Sequence, residues 1–142
     1  MRLPADLRHL ERHSLPHVEQ RLSEELSLGW HPQMQDWDLD NANSELMPML
    51  IEQLRSNSWT EDEHFSLMEL TVACADEAMM DGAQEPEWWP ALEEFLLAAP
   101  ETHASTMCYW AAPALRGEPE DRRYPISERM AQLWLEARAR LR

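Results

Sequence analysis

The chain has no lysine, three glycines, two valines and two isoleucines among its 142 residues. Each shortage excludes something. With so few β-branched residues, no segment alternates apolar and polar positions over four residues, which argues against a sheet-based fold. Three glycines leave no phosphate-cradling loop and no Gly-x-Ser-x-Gly nucleophile elbow. The two cysteines, Cys74 and Cys108, lack CxxC spacing and sit in apolar, helix-like segments, as reduced core residues of a cytoplasmic protein do. The N-terminus has no apolar signal region, and no run approaches transmembrane length, so export by the usual signal is not indicated.

What is present is acid. Twelve arginines face 27 Asp and Glu, a net charge of −15. The excess is segregated. Residues 1–18 are net +1 and residues 102–142 net +2, whereas residues 19–101 carry twenty acids against Arg21 and Arg55, net −18. Such a segment repels nucleic acid and acidic membranes and attracts basic proteins. Solubility is the plainer use of the same charge.

The apolar content of 44% supports one domain, residues 1–142, and the patterning predicts an all-α bundle of six or seven helices. The longest helix signal spans Thr60 to Gly82. Thr60 with Glu63 forms a capping-box pattern, and Gly82 marks the stop. Phe65, Met68, Val72, Ala75 and Met79 make one apolar stripe, and Leu67, Leu70 and Cys74 make a second arc, so neighbours pack this helix on more than one side. Asp62, Glu69 and Asp76 recur every seven residues along the border of the stripe.

Before it, residues 4–13 read as a short helix, and a second begins at Ser14 with Pro16 just inside and runs to Gly29. Its apolar face is Leu15, Val18, Leu22 and Leu26. Residues 30–44 read as an acidic loop, capping the next helix (45–56) through Asn43 or Ser44. That helix buries Leu46, Met49, Leu50 and Leu54. After Gly82, residues 83–87 form a connection. A helix follows over 87–99 with Trp88, Leu92, Phe95 and Leu96 inward and Trp89 at the edge. Residues 101–112 are helical, Pro113, Gly117 and Pro119 make a loop, and a last helix starts at Pro125 or Ser127. Its face is Ile126, Met130, Leu133, Trp134, Ala137 and Leu141. Helical spacing places Trp88 and Trp134 in the core and leaves Trp37, Trp89 and Trp110 as surface candidates.

No metal, cofactor or catalytic site is expected. His9, His13 and His17 have the spacing of a ligand line, but Pro16 interrupts it and Arg8 and Arg12 repel a cation. Asp36, Asp38 and Asp40 begin like a calcium loop, yet Asn41 stands at its glycine and Met47 at its final glutamate. Glu61 with His64 is one Glu-x-x-His pair where a di-iron bundle needs two. Adjacent acids such as Glu93 and Glu94 diverge on a helix and do not converge on a substrate.

Three short features between Trp59 and Trp110, about a third of the chain, carry a resemblance. They are Thr60-Glu61-Asp62-Glu63 with Phe65 and Leu67, then Cys74-Ala75-Asp76, and finally Pro100 followed by Tyr109-Trp110 and Pro113. Together with an acidic helix over 87–99, this pattern resembles the small acidic helical immunity proteins of nuclease colicins and pyocins. The chain departs from them in a longer first helix, in Trp110 as the second aromatic, in lacking an acid just before the aromatic pair, and in overall length. The resemblance implies a bacterial toxin inhibitor, not an enzyme, that binds a basic toxin of the same cell. It implies specificity from the acidic helix and an anchor from the aromatic pair. The expected partner-binding residues are Asp62, Glu69, Asp76, Glu85, Glu87, Glu93, Glu94, Tyr109 and Trp110. The alternative is an acidic DNA mimic or a helical adaptor, with the Asp62, Glu69, Asp76 row spaced like phosphates.

Overall fold

The computed structural model describes residues 3–82 and 85–141. The fold is all-α. Among the described residues there are seven α-helices, three 3₁₀ turns and no strand. The expected 83–87 connection lies partly, and Arg142 wholly, outside the described residues. Contacts gather the chain into two compact units, Ser14–Ala78 on the one hand and Met1–His13 with Met79–Arg142 on the other.

The unit Ser14–Ala78 contains α1 (Pro16–Leu26), α2 (Trp37–Asn41), a 3₁₀ turn (Ser44–Leu46), α3 (Met47–Arg55) and most of α4 (Glu61–Met80). Proline sets the start of α1, but Ser14 does not cap it. The hydroxyl of Ser14 lies 2.7 Å from that of Ser66 instead, and Ser27, in the left-handed region at φ 59°, ends the helix two residues before Gly29. Val18 and Leu22 are buried, whereas Leu15 is exposed. The acidic loop holds a short helix, α2, because Trp37 folds inward. It is 1% exposed, and its indole N–H donates to Ser23 Oγ at 2.7 Å. The Asn41 amide ties α2 back to Gly29, donating to its carbonyl at 2.9 Å and accepting from its N–H at 3.0 Å. Asn43 caps the 3₁₀ turn through the Glu45 N–H. In α3 the buried face is Met47, Leu50, Ile51 and Leu54, shifted from the expected set, with Leu46 and Met49 half-buried.

The capping box of α4 forms as the sequence indicates. Glu63 accepts from the Thr60 N–H at 2.8 Å, and Thr60 Oγ1 accepts from the Glu63 N–H at 3.2 Å. Gly82 takes φ +101° just past the helix end. Both apolar arcs are buried except Met79, which is half-buried. Burial on both arcs is what a helix without a single polar face requires.

The other unit contains a 3₁₀ turn (Ala5–Leu10), α5 (Trp89–Ala98), α6 (Pro100–Leu115), a 3₁₀ turn (Glu120–Arg122) and α7 (Ser127–Arg140). The six expected positions of the last helix, Ile126 to Leu141, are all buried, and α7 packs extensively on α6. Two expectations are corrected. Pro113 does not end α6, which continues to Leu115 and closes on Gly117, at φ +70°. The tryptophan assignment is also changed: Trp37, Trp89 and Trp110 are all buried, while Trp88 is half-buried at the start of α5. α5 begins at Trp89, two residues later than expected, so Trp88 precedes it as the N-cap residue and the buried positions are Trp89, Leu92 and Leu96.

Substituting Val72, fully buried in α4, by Asp places an unpaired charge in the core. Val72→Asp is expected to cost about 4 kcal/mol or more, read as a lower denaturation midpoint or as loss of the helical circular-dichroism signal. A variant as stable as the parent would show that this stripe is not core.

Candidate functional site

Tyr109 lies on α6 and Tyr124 just ahead of α7, so the pairing of these helices brings two distant tyrosines together. Their rings stack with centroids 5.9 Å apart and planes 21° from parallel, and their hydroxyls are 3.3 Å apart. Trp110, buried beneath, meets both edge-on, at 5.4 Å from Tyr109 and 4.8 Å from Tyr124. Both tyrosines remain accessible, 39% and 37% exposed. The Ser127 hydroxyl, at the first position of α7, accepts from the Tyr124 N–H at 3.1 Å. A rigid aromatic pair with wet hydroxyl ends is the kind of surface that anchors protein contacts at little entropic cost.

One hollow adjoins Tyr124, and a second shares part of its wall. The first, of about 510 Å³, is lined by Glu120, Arg123, Tyr124, Pro125 and Glu128. The other, of about 490 Å³, shares Pro125 and Glu128 and adds the carboxylates of Glu85, Glu93 and Glu136 beside Met79 and Leu133. Arg129 stands in the second. Its guanidinium bonds both Glu85 oxygens at 3.0 and 3.4 Å and Glu93 at 3.3 Å, and lies 4.4 Å from the centre of the Trp89 ring. Hydrogen bonding and charge from Arg129 hold the exposed Glu85 carboxyl below its usual pKa.

Of the sequence-derived set, then, Glu85 and Glu93 come together on Arg129, and Tyr109 meets Trp110. Glu87 and Glu94 are exposed. Trp110 is a buried support, and Tyr124 provides the second exposed ring. Asp62, Glu69 and Asp76 do follow one line of α4, but they meet different surroundings. Asp62 is exposed, beside a hollow of about 370 Å³ that Arg21, Thr60 and Glu63 also line. Asp76 is buried. Glu69 is half-buried, and burial, with the nearby charges of Asp38 and Glu19, pushes its pKa up to about 8. A row of exposed phosphate-like charges is therefore absent from this helix. Asp38 and Glu19 are also raised, mainly by burial.

Glu63 is the contrasting case in the same helix. Burial alone would raise its carboxyl, but hydrogen bonds from Thr60 and the charge of Arg21, with which it forms an ion pair, outweigh that and lower it. Cys74 is pushed up to about 11 by burial, against the Asn43 N–H that donates to its sulfur at 3.4 Å. Burial likewise raises Cys108. Neither thiol is an activated nucleophile. Among the described residues, no group of three or more His, Cys, Asp or Glu is placed to hold a metal ion. His9 and His17 belong to different elements, separated by the break before Pro16. Also among them, no helix is long and apolar enough to cross a membrane.

Sequence reasoning missed Tyr124, Arg129, Glu120 and Glu128. A signal existed for Tyr124: an aromatic residue directly before Pro125, at the expected start of the last helix, sits where chain entry into a helix is pinned. Arg129 was legible only as a residue off the buried face. Charge also divides by unit. Ser14–Ala78 carries fourteen acids against Arg21 and Arg55, net −12, while the other unit sets thirteen acids against ten arginines, net −3. No family model, curated protein or solved structure matches the chain.

The shifted carboxyl of Glu69 has a signed consequence. An unfolded glutamate releases its proton near 4.5, whereas this one holds it to about 8. Across that window the folded state binds the extra proton, so stability falls as pH rises and levels off above about 8. Glu69→Gln, a mimic of the protonated form, should match the parent near pH 4.5 and melt at a higher temperature at pH 8.5. A parent–variant difference that does not change with pH would show that Glu69 is not held protonated.

Proposed function

We propose that this protein is a bacterial immunity protein, which binds a basic toxin enzyme made by the same cell and blocks it, acting by binding and not by catalysis. The observation that carries this reading is the exposed Tyr109–Tyr124 stack, with a hollow lined by Glu120 and Glu128 at Tyr124 and a second glutamate-lined hollow that shares Glu128. An aromatic anchor inside an acidic rim suits a cationic protein surface, because the rings supply desolvated contact area and the rim supplies complementary charge. Toxic nucleases need basic surfaces to hold nucleic acid, and the strongly acidic Ser14–Ala78 unit complements such a surface at long range. The resemblance of its short motifs to those of colicin and pyocin immunity proteins points the same way. Against the DNA-mimic alternative stand the burial of Asp76 and the raised pKa of Glu69, which leave Asp62 alone exposed in that row.

The test is capture of partners from the native host by the tagged protein, then binding kinetics on variants. Glu87→Arg with Glu94→Arg changes two exposed carboxylates without touching the Glu93–Arg129 pair. This double reversal is expected to slow association at low salt by about tenfold, an effect that fades as salt screens it. Tyr109→Ala should leave association nearly unchanged and speed dissociation. Recovery of only acidic partners would defeat the proposal, as would a basic partner that dissociates from Tyr109→Ala no faster than from the parent.

A further inference from the structure

The Arg129 arrangement shows how this molecule holds a guanidinium. A Trp89 face 4.4 Å away supplies the ring, and two glutamates from elsewhere in the chain, Glu85 and Glu93, take the N–H groups. The hollow next to it is lined by residues of the same types, a ring and two carboxylates. Tyr124 supplies an exposed ring, and Glu120 and Glu128 line the hollow with it, the first on a 3₁₀ turn and the second in the first turn of α7. Both carboxylates are exposed, and neither has an ion-pair partner among the described residues. The one arginine lining the hollow, Arg123, is turned to its own chain, its Nε donating to the Glu118 carbonyl at 2.6 Å. Stacking on Tyr109 and the Trp110 edge hold the Tyr124 ring, and Ser127 Oγ accepts from the Tyr124 backbone N–H.

We propose that the Tyr124, Glu120 and Glu128 hollow is a docking site for an arginine side chain of the basic protein partner. The identity of that partner class rests on the function proposed above; the site's preference for arginine rests on the ring and carboxylates that line it. A planar guanidinium can lie on the ring and give N–H groups to both carboxylates. The compact ammonium of lysine reaches fewer acceptors and stacks less well, so arginine is preferred.

The chain has two tyrosines, and both are at this site. Protein labelled with ¹³C in its tyrosine rings thus gives a selective readout. Titration with a blocked peptide carrying three arginines should shift the signals of both rings. The same peptide with citrulline should not, and the lysine peptide should bind about threefold or more weakly. Glu120→Gln and Glu128→Gln should each weaken the arginine peptide about fivefold or more, while melting temperature stays with the parent because both side chains are exposed. Tyr124→Leu should abolish the arginine preference and leave the Tyr109 signal to report any residual binding. Absence of ring shifts, equal affinity for the lysine peptide, or indifference to both Gln variants would overturn the inference. The two proposals fail separately. A captured partner that dissociates equally fast from parent and Glu120→Gln/Glu128→Gln protein removes this site and keeps the function. An arginine peptide that binds as described, with no basic partner in the host, keeps the site and removes the function.

Discussion

The burial of α4 on nearly all its faces is the constraint on which the rest depends. A helix so enclosed has little water to solvate charge, yet this one carries Glu63, Glu69 and Asp76 in its buried or half-buried length. Two different solutions are visible. At the start, Glu63 stays charged because the capping box and Arg21 supply donors and an opposite charge. Further along, Glu69 faces Asp38 and Glu19 and keeps its proton instead. One acid is compensated by partners and the other by neutrality. The first solution also fixes where the helix begins, and with it the register of both apolar arcs.

Charge and contact chemistry are separated along the chain. Most of the negative charge lies in Ser14–Ala78, where much of it is unaccompanied by arginine. The second unit is nearly balanced, and there arginines are placed with care: Arg129 between two glutamates, Arg138 on Asp6, Arg140 on Glu136 and the Leu97 carbonyl. Exposed pairs of this kind add little stability. The Arg129 set differs in also covering an aromatic face, and it joins a ring to two carboxylates, residue types that also line the neighbouring hollow.

The fold was largely legible in the sequence because helical periodicity and caps are local signals. The Thr60–Glu63 box, the six-residue face of α7 and the proline at the start of α1 all appear where the pattern puts them. Errors arose where tertiary contacts override local preference. Trp37 lies in a polar, acidic stretch and is nonetheless buried, because Ser23 offers its indole a partner. Pro113 stays inside α6, where Pro113, Gly117 and Pro119 together suggested a loop. The candidate site was legible only in part. Tyr109 and Glu93 could be named from their segments, but Tyr124 and Arg129 reach them from residues far along the chain, and no spacing rule announces a contact across helices. Burial was the harder quantity still: three acids at seven-residue intervals look equivalent in sequence and are not equivalent in the folded chain.

The neutral Glu69 also bears on how much charge the protein carries. The formal value of −15 counts every carboxyl as ionised. With one of them protonated up to about pH 8, the folded molecule at neutral pH bears roughly one negative charge fewer than its unfolded chain, and folding takes a proton out of solution. Refolding in a weakly buffered solution at pH 7 would therefore turn the medium more alkaline, and electrophoretic mobility would fall short of what composition dictates.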